Sequence, residues 1–134
     1  MTASAPAFAF ARLLLAAIFV LSGIDKLTHL DGTAAFVAAG GLPMPQLLAP
    51  LAGAFELIAG LAVAIGWQAR WAGLLLALFT LVASLVFHRF WSAHAEQAAV
   101  QQLLFMKNLA IAGGLLLLFC AGPGPASLDA RRAR

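Results

Sequence analysis

Glu56, Lys107 and Asn108 are the residues in this chain that most need a reason, because each interrupts a run of apolar side chains. An acid and a base beside an amide donor make proton transfer and hydrogen bonding the chemistry such a set could do. Glu56 stands nine residues after Leu47, and its neighbours three and four residues away are Ala52, Gly53, Ala59 and Gly60. That small-residue face lets another helix come close. Counted from Ala98, Lys107 also lies nine residues into its run. Both would reach a depth of about 13 Å at roughly 1.5 Å per residue. The natural expectation is an internal Glu56–Lys107 ion pair acting as a proton-transfer pair.

Other polar residues fall beside these two. Asp25 and Lys26 close the first apolar run, with Ser22 four residues before Lys26 and His29 four residues after Asp25. Thr80, Ser84 and His88 are spaced i, i+4, i+8, a stripe on one helical face. Lys26, Asp25, His88, Asn108 and Ser84 are therefore candidate ligand-binding residues. Each has a plainer reading. A static ion pair can fix helix register without chemistry. Asp25, Lys26, His88 and Arg89 can contact headgroups, and Thr80 and Ser84 can bond their own helix carbonyls. His94 and Glu96 read as solvated loop residues.

No metal site is expected, since His29, His88 and His94 are the only histidines and no HExxH or cysteine cluster occurs. Cys120 is the single cysteine; it can form no intrachain disulfide and lies in an apolar run, where a thiol is inert. No flavin, haem or iron–sulfur motif and no nucleophile elbow is present.

The elements that must position these residues follow from composition. The 134 residues are 63% hydrophobic and 10% charged, with mean hydropathy +0.98. A soluble domain is closer to about 25% charged. The pattern predicts an all-α integral membrane protein, a single domain over 1–134 with spans at about 8–26, 47–66, 71–90 and 99–121. Arg12, inside the first run, can snorkel to the nearer interface. That run reads as a retained helix rather than a cleaved signal: no Lys or Arg precedes Arg12 and no Ala-x-Ala site ends it. Between spans one and two, residues 33–39 are weakly amphipathic and suit a short interfacial helix. Only Gln68, Ala69 and Arg70 separate spans two and three, so these must be antiparallel neighbours.

The net charge of +3 comes without a basic stripe interleaved with aromatics, which sets nucleic acid aside. Arg12, Arg70, Arg131, Arg132 and Arg134 fall on the side of the two termini, against Lys26, Arg89 and Lys107 opposite. The positive-inside rule then puts both termini in the cytoplasm. Trp67 with Trp71, and Phe90 with Trp91, fit interfacial belts.

Taken in order, the sequence from Arg12 to Phe19 leading into Ser22-Gly23-x-Asp25-Lys26, Gly40-Gly41-Leu42-Pro43, Phe55-Glu56-Leu57-x-x-Gly60, His88-x-Phe90-Trp91, Met106-Lys107-Asn108-Leu109-x-x-x-Gly113-Gly114 and Ser127-Leu128-Asp129 resembles the DoxX family of small bacterial inner-membrane proteins. The resemblance extends over essentially the whole chain. It implies a four-helix membrane architecture and association with sulfur and thiol redox systems; the family takes its name from a subunit of a thiosulfate:quinone oxidoreductase.

Two functions follow as expectations. One is an accessory protein or subunit of a membrane redox system, binding a small apolar molecule such as a quinone in a polar cluster in the outer half of the bundle. There Lys107 or His88 would donate to a carbonyl oxygen and Glu56 would accept a proton, with electrons coming from a redox-protein partner. The other is a non-catalytic structural or assembly partner of another membrane protein, with Gly113 and Gly114 as a docking face. The lipid bilayer is a partner in both, and a second copy of the chain is a further candidate. A transporter has no support, as no inverted repeat is visible.

Overall fold

A computed structural model describes residues 4–133. It contains six helices: α1 Ala5–Thr28, α2 Leu30–Ala39, α3 Pro45–Ile65, α4 Ala69–Phe87, α5 Ala95–Ala121 and α6 Leu128–Arg132, with a 3-10 turn at Phe90–Ser92. No strand occurs among the described residues. α1, α3, α4 and α5 are long and apolar enough to cross a membrane, and α2 is the expected short apolar helix between the first two. The ends differ from expectation by a turn or less in most places. α3 begins at Pro45, whose ring fits the first turn of a helix, and α5 begins at Ala95, before the apolar run starts.

The four spans associate as two pairs. α1 lies along α3, α4 lies along α5, and α3 meets α4. Small residues set these approaches. A Cβ on Gly23 would stand 2.7 Å from the Leu57 nitrogen and 2.8 Å from the Gly53 carbonyl oxygen, so α1 rests directly on the backbone of α3. The sequence-expected small face of α3 is thus used against α1, where Gly60 also faces Phe19 and Val20. The shared core is built from Phe19, Val63, Leu76, Leu115 and the alanines between them. Leucines and isoleucines such as Leu13, Leu21, Ile58, Leu78 and Leu117 are exposed around the outside, the surface a bilayer covers.

At one end of the bundle the chain closes on itself. Arg12 is 4% exposed, and its guanidinium donates to the carbonyls of Pro123 and of Ala126, the latter at 2.6 Å. It holds the loop after α5 instead of snorkelling to the interface, because that loop supplies carbonyl acceptors within the protein. Asp129 accepts from the backbone N–H groups of Gln68 at 2.8 Å and Ala69 at 3.0 Å, so a carboxylate caps the positive start of α4. Gly66, at φ +73°, turns the chain here, and a Cβ on it would lie 2.4 Å from that of Ser127.

Candidate functional site: a polar cavity between the helix pairs

The other half of the bundle is open. A cavity of about 190 Å³ is lined by Ser22 and Lys26 from α1, Phe36 from α2, Glu56 from α3, Thr80, Phe87 and His88 from α4 and just after it, and Lys107 and Asn108 from α5. Glu56 and Lys107 stand near the middle of their helices. Five separate segments thus deliver polar or aromatic groups to one space.

The acid's partner is not the expected one. Glu56 pairs with Lys26, Nζ to Oε2 at 2.8 Å, and Ser22 Oγ donates to the same oxygen at 3.1 Å. Lys26 Nζ also donates to Ser22 Oγ, closing a triangle across α1 and α3. The expected Glu56–Lys107 pair is absent. The reason is packing: Gly23 and Gly53 bring α1 onto α3 one turn from Lys26 and Glu56, whereas Lys107 rides on α5, which packs on α4. Lys107 lines the same cavity from the far side and has no carboxylate within ion-pair reach among the described residues.

Asp25 is outside the site. It is exposed and faces His29, Oδ1 to Nδ1 at 3.1 Å. Successive helical residues point about 100° apart, so Asp25 turns away as Lys26 turns in. Ser84 is buried but does not line the cavity. Neither its Oγ nor Thr80 Oγ1 has a hydrogen-bond partner, contrary to the expectation that both would bond their own helix. Thr80, at the cavity wall, therefore has an unused hydroxyl.

His88 lines the cavity and its Nδ1 lies 2.9 Å from Gln101 Oε1. Gln101 was not singled out by sequence reasoning, although it stands seven residues before Asn108, two helical turns along one face. The stacked rings of Phe36 and Phe87, with centroids 4.6 Å apart, roof the cavity. Beyond them a second, polar recess of about 270 Å³ is lined by Arg89, Ser92, Gln97 and Gln101. The aromatic pair and the His88–Gln101 contact separate the two.

Residues 7–89 match the DoxX family. This chain belongs to the DoxX family. It is similar to the inner membrane protein YphA of Escherichia coli strain K12, at 35% identity over 121 residues, covering 90% of this chain and 86% of YphA. It is likewise similar to the inner membrane protein YqjF of the same strain, at 40% identity over 119 residues, covering 89% and 86%. No solved structure matches. The stretch matched to DoxX carries Lys26, Glu56, Thr80 and His88; Lys107, Asn108 and the Asp129 cap lie beyond it.

Proposed function

We propose that this DoxX protein resides in the inner membrane with the closed, Arg12 end toward the cytoplasm, and that its cavity receives the polar head of a small apolar redox molecule such as a quinone. In this reading it is an accessory protein or subunit of a membrane redox system. The single observation carrying the proposal is the cavity's set of unspent donors. Among the described residues, Thr80 has a hydroxyl without a partner and Lys107 has no acid.

The fit can be argued from size and charge. At about 190 Å³ the space falls below the roughly 300–1,000 Å³ of sites that take whole drug-sized ligands, and suits a single ring. Lys26 and Glu56 neutralise each other, which leaves Lys107 as the cationic donor on the wall without an acid among the described residues. Donors from two walls, Thr80 on α4 with His88 just after it, and Lys107 and Asn108 on α5, can meet the carbonyl oxygens of a ring. A quinone supplies reversible uptake of electrons and protons, and a partner protein supplies the electrons.

The chain's own groups do the rest. Both contacts to Glu56 fall on Oε2, leaving Oε1 to relay protons to the ring as it takes up electrons. Lys26 keeps that carboxylate oriented, and the stacked Phe36 and Phe87 rings supply an apolar wall. Native mass spectrometry of detergent-extracted protein tests the proposal. A retained ring-headed molecule that is lost in Lys107→Met is expected. Protein that retains none, with Glu56→Gln leaving membrane redox activity unchanged, overturns it.

The Lys26–Ser22–Glu56 triangle favours a second reading, in which the polar groups hold α1 to α3 in an assembly partner. That reading expects Lys26→Met with Glu56→Gln to restore both the accumulation and the cellular role lost in either single variant. The ligand reading expects accumulation alone to return.

A further inference from the structure

We infer that the molecule whose head enters the cavity is an amphiphile with a hydrocarbon chain, and that this chain lies in the open groove between α1 and α5. The inference rests on the cavity being a headgroup site, as proposed above. It identifies the ligand class by what the protein leaves uncovered next to that site.

Two packed pairs of spans are sealed by close approach, with Gly23 and Gly60 shutting the α1–α3 seam and Gly73 meeting Leu118 and the Leu115 carbonyl across α4–α5. α1 and α5 scarcely touch. A groove of about 650 Å³ runs between them, walled by Leu14, Leu15, Ile18, Ile111, Gly114 and Leu117. Ile18 and Ile111 line both this groove and the polar cavity, so the two spaces lie side by side with these two side chains between them. A head too large to leave room for a tail in the cavity has an apolar exit beside it.

Geometry sets the direction of the chain. From Ile18 the groove descends ten residues of α1 to Phe8, about 15 Å at 1.5 Å per residue. It ends against Arg12 and Gly122, at the closed end of the bundle. The head is then near the middle of the membrane and the tail points away from the open end. A phospholipid would have to bring its phosphate to that depth, where a charge is costly. A neutral ring already partitions there. The ligand class proposed is therefore a ring-headed, chain-bearing molecule.

A second apolar recess, of about 310 Å³, flanks the cavity between α3 and α4 and shares Phe79, Ala83 and Phe87 with it. Its junction is filled by rings. Phe79 packs on Phe55 at 5.2 Å and Phe87 on Phe36 at 4.6 Å. The α1–α5 junction carries only two isoleucines.

The test uses the full chain in phosphatidylcholine nanodiscs and a benzoquinone bearing a decyl chain with a terminal diazirine. After irradiation, adducts are mapped by peptide mass spectrometry. The expected result is labelling of Leu14 and Leu117 severalfold above the lipid-facing Ile58 and Leu61, suppressed by excess chainless benzoquinone. Gly114→Phe, which fills the groove, is expected to abolish the excess, and Leu117→Trp serves if that variant does not fold. Competable labelling at Leu51 and Val82 instead overturns the groove while leaving the headgroup site standing. Uniform labelling, or groove labelling that the chainless ring does not displace, overturns both.

Discussion

The two ends of this bundle spend their polar groups differently. At the closed end Arg12, Gln68, Ala69, Ser127 and Asp129 are engaged with one another or with backbone carbonyls, and among the described residues Arg12 Nε is the one buried side-chain atom there without a partner. At the open end, among the described residues, the Thr80 hydroxyl at the cavity wall is unpartnered and Lys107 has no acid. Satisfied groups hold a structure together, whereas unsatisfied ones at a cavity wall are available to a ligand. The difference teaches that polarity inside a membrane bundle has to be sorted by what each group already bonds.

Four substitutions would break or sharpen that contrast. The largest effect is expected at Gly66→Val, which forces a β-branched residue to φ +73° against Ser127. The left-handed cost alone is about 1–2 kcal/mol, and the overlap adds to it, so the melting temperature in detergent should collapse. Next comes Lys26→Met, which strands the buried Glu56 carboxylate and should cost about 3 kcal/mol. Adding Glu56→Gln should recover most of that loss in the same thermal assay. If the double variant is no better than the single, the triangle is not the source of the cost.

Asp129→Ala should lower stability by about 1 kcal/mol, the usual worth of a helix cap, while ligand retention by native mass spectrometry stays unchanged. A loss of retention would show that the two ends are coupled. The smallest effect on stability, of opposite sign, is expected for Thr80→Val. Removing an unpartnered buried hydroxyl should leave the melting temperature level or raise it by about 1 kcal/mol equivalent, yet reduce ligand retention. A clear destabilisation would mean that Thr80 is already satisfied and the open end is less distinct than described.

Much of this could be read from residue order. The apolar runs announced the spans, since a membrane admits few other backbones, and the Ala52, Gly53, Ala59, Gly60 face announced a close helix contact. Lys26, Glu56, His88, Lys107 and Asn108 were legible as a group because ionisable and amide side chains in apolar runs demand explanation. Asp25 was misassigned because neighbouring residues on a helix face different ways, and spacing from the end of a run does not say which way. Gln101 was passed over because it sits where the helix leaves its polar start.

Composition and periodicity alone determined that this protein is a four-span helical bundle and which few residues could carry chemistry in it, because burying or exposing a side chain in lipid is a local energetic decision. Which base meets the acid was decided by the tertiary structure. Equal depth made Lys107 the expected partner of Glu56, and only the backbone contact at Gly23 and Gly53 chose Lys26. The loose seam between α1 and α5 is likewise invisible in sequence, since a gap belongs to two helices at once and to neither alone.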